Sequence, residues 1–369
     1  MDPPDHGRQR RLVSKAFTPR ITARYEPWIR GIVDDLLDGL QDGPHDGHGL
    51  QDGPHDGHGL QDGPHDGHGL QDGPHDGRAA AGPGEYGSFD AVRDFAAKLS
   101  MRTIGELMDI PAGDLDMLKE WSDELALATE VPTLVAAFRS LDVFSPEELA
   151  GFGRASVAIH AYFADLIHKR RTHPGEDLIS SLIQAEDQGR TLARHEVTNV
   201  LATLFAAAHE SVTNLVANGL LALSRNPGQL AALREDPSIA PLLVDEVLRY
   251  DAPVQLTARV ALGPTRLGPA AVEPGAIVIL LLAAAGRDEA AYPRAGDFLA
   301  GRRAKGIGLA FGAGAHYCIG SSLARLEAAI AFTAIAERLT AFEVEEESLA
   351  YRRHVVVRGP RQMTVRHRR

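Results

Sequence analysis

Apolar positions recur at helical spacing along most of the 369-residue chain, and the rhythm changes in only a few places. Residues 21–38 (ITARYEPWIRGIVDDLLD) gather their large apolar side chains on one face, which predicts an amphipathic helix. The same period predicts helices over 89–108, 115–128 and 147–171. A longer apolar helix is predicted over about 192–225, with Thr191 as its N-cap and Asn226-Pro227 as its stop. Shorter helical patterns cover 227–234 and 239–250. From 254 to 282 the texture becomes β-branched clusters cut by Gly and Pro, which predicts short strands and turns. Helical spacing returns over 320–340, and 341–368 alternates as strands do. The fold class that follows is mainly α with a small β region toward the C-terminus.

One stretch has neither period. The decapeptide GLQDGPHDGH occupies 39–48, 49–58 and 59–68, and a fourth copy, GLQDGPHDG, ends before Arg78. Each copy offers one Leu among Gly, Pro, Asp, His and Gln, too little apolar surface to offset the entropy of ordering it. Residues 41–87 therefore read as a disordered insert in one domain spanning 1–369. Seven histidines (45, 48, 55, 58, 65, 68 and 75) open a different reading, a histidine-rich metal-binding protein. That reading is weaker, because His and Asp on a floppy loop bind metal without needing a purpose.

The insert also distorts the charge. Its eight aspartates, with no Lys or Arg between residues 39 and 77, supply two thirds of the formal net charge of −12. The rest is close to balanced, and nothing favours nucleic acid as a partner. The opening MDPPDHGRQRRL lacks the apolar stretch of a signal peptide, and no run of 18 uninterrupted apolar residues appears, so no membrane span is expected. A single cysteine excludes an internal disulfide and fits a reducing cytoplasm.

That cysteine, Cys318, lies in FGAGAHYCIG, residues 311–320. Gly312, Gly314 and Gly320 permit an irregular backbone or the close approach of a flat ligand. The thiol precedes a predicted helix, whose unpaired N–H groups and dipole favour a thiolate. These residues fit a glycine-rich turn over a buried thiol equally well. The decapeptide, however, is similar to the heme-binding loop of cytochromes P450, F-x-x-G-x-[HR]-x-C-x-G, with Phe311, Gly314, His316, Cys318 and Gly320 at the fixed positions. The resemblance implies that Cys318 is the axial ligand of a heme iron, that Phe311 packs beside the sulfur, and that His316 bonds a propionate.

Further segments carry the same resemblance. Glu246 and Arg249, in DEVLRYDAPV, share a helix face 72 residues before Cys318 and match the family's E-x-x-R pair, which implies a structural role under the heme. Arg259 in QLTARV matches a propionate-binding arginine. FAAAHESVTN in the long helix resembles the oxygen-binding segment, with Glu210 and Ser211 at its acid and alcohol positions, Ala207 and Ala208 small, Ser in place of the commoner Thr and Ala208 in place of Gly. A carboxylate that reaches solvent and a hydroxyl beside it suit proton delivery to dioxygen with water excluded. DPPDHGRQRRL resembles the segment opening the helix beside the heme, which implies that His6 and Arg10 reach a propionate. AGRDEAAYP resembles a further family stretch, with Gly286 in place of Asn and Glu289 in place of Pro.

Taken over the chain outside 39–87, the resemblance implies the cytochrome P450 fold, N-terminally incomplete, since family members carry first strands, helices and a pocket roof before the D-P-P segment. It implies a cytoplasmic monooxygenase using heme b and O2. Its partners are implied to be a ferredoxin, an NAD(P)H-dependent ferredoxin reductase and an apolar small-molecule substrate, with Val254, Gln255, Leu256 and Thr257 lining the pocket. A truncated heme-binding protein without turnover is the alternative.

Overall fold

The computed structural model describes residues 4–40, 86–126, 130, 144–187, 189–303 and 308–368. The repeat, and with it most of the insert expected over 41–87, lies outside the described residues. The far end of that expected loop is ordered: Gly87 already belongs to strand β1 (Gly87–Asp90), where it pairs with His367.

The helical reading holds. Helix α1 spans Asp5–Ser14, α2 Glu26–Gly39, α3 Ala97–Leu107, α4 Leu115–Leu125, α5 Pro146–Thr172 and α6 Leu178–Gln184. The long central helix α7 spans Arg194–Arg225, followed by α8 (Pro227–Glu235), α9 (Ala240–Tyr250) and α10 (Ser321–Arg338). In α2 the buried set is Ile29, Ile32, Val33, Leu36 and Leu37, a stripe at three- and four-residue spacing. The segment expected to be helical from residue 89 begins differently. Phe89 is buried in β1, and the Asp90 carboxylate accepts the N–H groups of Val92 at 2.9 Å and Arg93 at 3.1 Å, opening a π-helical turn over Ala91–Ala96 before α3.

Around α7 the other helices assemble. α3, α5 and α10 pack against it, and α10 also receives α2 and α9. Every residue from Val212 to Leu223 is buried, because this half is surrounded by protein, and it is apolar on most sides, with Thr213, Asn214 and Asn218 the polar exceptions. By length and composition alone α7 is long and apolar enough to cross a membrane; its place in the core accounts for that apolarity. At Gly219 the crossing with α10 is tight: a Cβ there would stand 2.1 Å from Cζ of Phe332. The N-cap differs from expectation. Thr191 pairs with Glu186 in a two-residue hairpin (β2 Glu186–Asp187, β3 Arg190–Thr191), and α7 starts where the Glu196 carboxylate reaches back to the N–H of Ala193 at 2.7 Å. Arg8 and Gln9 of α1 bond the same carboxylate, tying α1 to the head of α7.

The strands form small antiparallel groups. β1, β11 (Thr364–Arg368) and β8 (Ala341–Val344) make a three-stranded sheet that buries Phe89, Val344 and Val365. The stretch over 254–282 yields β4 (Thr257–Val260), β5 (Thr265–Leu267), β6 (Ala270–Val272) and β7 (Ile277–Leu280), with β4 paired to β7 and β5 to β6. β9 (Ala350–Tyr351) pairs with β10 (Pro360–Gln362).

Candidate functional site

Three parts of the chain converge on one cavity of about 750 Å³: the middle of α7, the segment from α9 into β4, and the loop before α10. Ser211, Val212 and Leu215 come from α7, Val254, Thr257 and Arg259 from the second, and Phe311, Gly312, His316 and Cys318 from the loop.

The loop's conformation follows from its glycines. Gly312 and Gly314 both have φ of 70°, a left-handed backbone that side chains disfavour. The turn closes when the N–H of Cys318 donates to the Phe311 carbonyl at 2.9 Å and that of Tyr317 to Gly314 at 3.1 Å. Gly320 is the N-cap of α10. Burial pushes the Cys318 thiol up from its ordinary range; opposing it are the backbone N–H groups of Gly320 and Ser321, aimed at the sulfur, and the charges of Arg10 and Arg325. The expected thiolate-favouring helix start is therefore present, but burial outweighs it in the chain's own residues. Phe311 lies in the same wall under the guanidinium of Arg325, 4.5 Å from its ring centre.

The rings of His6 and His316 stack with centroids 4.0 Å apart, and Arg10 donates to the carbonyl of Tyr317. Three of the four groups expected around a propionate thus meet beside the loop. Arg259 is in the cavity wall and donates to the Ala258 carbonyl at 2.8 Å and to Thr257 Oγ1 at 3.2 Å. Of the four expected pocket residues, Val254 and Thr257 line the cavity; Gln255 turns back to donate to the Ala252 carbonyl at 2.6 Å, and Leu256 is outside the lining.

On the α7 side the Ser211 hydroxyl donates to the carbonyl of Ala207 at 2.7 Å, and Ala207 is exposed one turn earlier. Glu210 points elsewhere, its Oε1 3.2 Å from Nδ1 of His354. Sequence reasoning missed His354: nothing local in RRHVVV marks it, and 144 residues separate it from Glu210. His209 is buried, with Nδ1 3.0 Å from Ser100 Oγ, and burial lowers its pKa to about 4.

Glu246 and Arg249 form a buried pair at 2.7 and 2.8 Å. Arg249 also donates to the carbonyls of Gly286, Ala295 and Asp297, each at 2.8 Å, while Glu246 accepts from Arg302 at 3.1 Å and from the N–H of Leu299 at 2.8 Å. The pair therefore pins the segment leading to the Cys318 loop. It also explains Gly286, since a Cβ there would stand 2.3 Å from the Arg249 carbonyl oxygen.

The residues fit a flat, anionic prosthetic group with a metal at its centre. A thiol cradled by backbone N–H groups enters the cavity from one side, and cationic or imidazole side chains gather around it. Among the described residues no cluster of three or more His, Cys, Asp or Glu suits a bare metal ion.

The sequence profile of the cytochrome P450 family matches residues 91–238 and 239–364. Cytochrome P450 107B1 of Saccharopolyspora erythraea is 34% identical over 99% of this chain and 76% of its own length. The vitamin D(3) 25-hydroxylase of Pseudonocardia autotrophica is 33% identical, with the same two coverages of 99% and 76%. Among solved structures, P450BioI, crystallised with an acyl carrier protein carrying hexadec-9Z-enoic acid, superposes with a TM-score of 0.80 at 30% identity, covering 100% of this chain and 80% of that one. With the cavity, the cysteine loop and these matches in agreement, the chain belongs to the cytochrome P450 family of heme b monooxygenases.

Proposed function

We propose that this chain inserts one oxygen atom from O2 into an apolar small molecule, by hydroxylation or epoxidation, in the cavity between Cys318 and Ser211. The observation that carries the reading is that one cavity has the chain's only cysteine in one wall and Ser211, the alcohol of the α7 segment, in another. Cys318 would be the axial thiolate, and His6, Arg10, Arg259 and His316 would hold the propionates. When bound, the heme would supply the activation of dioxygen, and the atom transferred to the substrate would come from that O2.

The chain's own residues do the rest. Gly320 and Ser321 direct N–H groups at the sulfur and temper its charge. Val212, Leu215 and Val254 give the cavity an apolar wall, which selects an apolar substrate and sheds water. The Ser211 hydroxyl, parked on the Ala207 carbonyl, is one rotamer change from presenting its proton to the cavity, and Glu210 beside it replenishes that proton. Electrons would come from a ferredoxin and its NAD(P)H-dependent reductase in the cytoplasm, with the repeat a tolerated insert in a single domain. The vitamin D(3) 25-hydroxylase among the relatives supports hydroxylation of an apolar small molecule, and the carrier-bound neighbour supports an acyl chain as another substrate class.

Val260 and Leu262 line the cavity yet are 57% and 89% exposed, so water reaches that side. This favours heme binding without efficient oxygenation as the second reading. Reduced protein under carbon monoxide should show the strongly red-shifted Soret band of a thiolate-ligated heme, and Cys318→Ser should abolish it. Retention of that band in the variant would remove Cys318 as ligand. Product formation with a surrogate ferredoxin then separates the two readings.

A further inference from the structure

Glu210 and Ser211 are neighbours on α7 but face different surroundings. Ser211 lines the cavity. The Glu210 carboxylate turns toward the segment after β9, where His354 waits at 3.2 Å. The two side chains are only 11% and 16% exposed, unlike a solvated surface pair.

His354 is held there by an unusual anchor. Glu130, itself 1% exposed, accepts the backbone N–H groups of Val355, Val356 and Val357 at 3.0, 2.8 and 3.3 Å. The carbonyl of Val356 accepts the N–H of Gln255 at 2.8 Å, and Val357 bridges to Val254 in the cavity wall. The imidazole is thus fixed between the surface and the acid of α7 by a segment that is tied to the cavity itself.

The charged groups facing it come from several elements. They are Glu210 of α7, Glu130, Glu148 in the first turn of α5, which Arg353 also faces, and Arg352 of its own segment. Arg352 is engaged by Asp123 of α4 at 3.2 Å, which also holds Lys119 at 2.7 Å and lies 3.9 Å from Nε2 of His209. Contact with Glu210 favours the imidazolium most; burial and Arg352 oppose it, and the balance lies above the ordinary histidine range.

We propose that His354 is a positioning residue for oxygen activation, which holds Glu210 outward and hands it, from Nδ1 to Oε1, the protons that Glu210 carries to Ser211. The proposal rests on oxygenation in the cavity described above. The proton moves from Nδ1 to Oε1, so the ion pair becomes a neutral imidazole and a neutral carboxylic acid. Without the ion pair the acid is free to turn toward Ser211. Solvent returns a proton to Nδ1 while Glu210 is away, and the pair reforms when the carboxylate comes back. An imidazole suits this role because it both holds and releases a proton near neutrality, whereas an arginine only holds.

The test separates holding from handing over. In 13C-histidine protein in its ferrous–CO form, the His354 resonance, identified by its loss in His354→Gln, should titrate above the ordinary histidine range. It should fall back toward that range in Glu210→Gln; an unchanged titration would overturn the pair. Wild-type turnover should decline on the alkaline side through that same ionisation. His354→Gln and His354→Arg should both lose this limb, slow by about tenfold or more, and release more peroxide per NAD(P)H consumed. Full turnover in His354→Arg, which keeps the charge on Glu210, would reduce His354 to a strut and refute proton transfer. The Soret band of the same samples reports on Cys318 alone. Its absence would refute the thiolate assignment, while the imidazole titration, read without turnover, still decides the pair.

Discussion

Glu327 shows what a single side chain conceals from a sequence reader. In SSLARLEAAIAF it looks like one exposed acid on an apolar helix. In the fold it is buried against Thr103 of α3, its Oε2 has no hydrogen-bond partner among the described residues, and burial pushes its pKa up to about 8. A raised folded pKa means that the folded protein holds this proton where the unfolded chain has released it. The stabilisation is complete below the ordinary carboxylate range and is lost as pH rises toward 8. Denaturant midpoints should therefore fall between about pH 6 and 8, with a slope of up to about 1.4 kcal/mol per pH unit from this group. Glu327→Gln, which mimics the protonated acid, should flatten that slope; an identical slope in wild type and variant would show that Glu327 is ionised in the core. Cys318, Phe311 and His316 were legible because they are neighbours in a ten-residue loop whose spacing is the signal. Glu327, His354 and Glu130 were not, because their behaviour is set by partners far away in the chain.

Elements were legible where the signal is local. α5 runs over Pro146–Thr172, within a residue of its periodicity, because Ser145 and Glu148 form a reciprocal cap at its start. The head of α7 was misplaced because a two-residue hairpin claims Thr191. The seven-residue α6, capped by Asp177 accepting from the N–H of Ser180 at 2.9 Å, is too short for a period to declare itself. Helix crossings leave still less trace. Gly219 sits inside the most buried part of α7, where propensity alone would prefer alanine by about 1 kcal/mol. The Phe332 ring, fully buried, occupies the space an alanine methyl needs. Gly219→Ala should therefore destabilise by roughly 1–3 kcal/mol despite the better helix former. Phe332→Ala should cost about 3–5 kcal/mol through its cavity. The double variant should cost clearly less than the sum, because the new methyl enters space the ring has left. Additive losses in chemical denaturation would mean that the two helices slide rather than interlock.

At the scale of the whole molecule the question is how a family fold carries a repeat unlike the rest of the chain. The repeat enters after α2, whose apolar stripe is complete by Leu37, and the chain re-enters the fold at β1, paired along β11. Both flanking elements are held by partners outside the insert: α2 packs on α10 and α3, and β1 on β11. If the connection between Leu40 and Tyr86 adds no packing of its own, as the composition of the repeat implies, it acts on stability through its length. Removing residues 41–77 leaves 78–85 as the link. Loop closure varies only with the logarithm of length, so this shortening should stabilise by on the order of 1–2 kcal/mol, if the ends are reached without strain. The expected outcome is unchanged heme content and a melting temperature that is equal or a few degrees higher. Treatment of the full chain with a chelator should change neither, since the residues proposed to hold the heme, His6, Arg10, Arg259, His316 and Cys318, all lie outside the deletion. A large fall in heme occupancy on deletion would make the insert part of the fold. A fall on chelation alone would revive the histidine-rich repeat as a metal site.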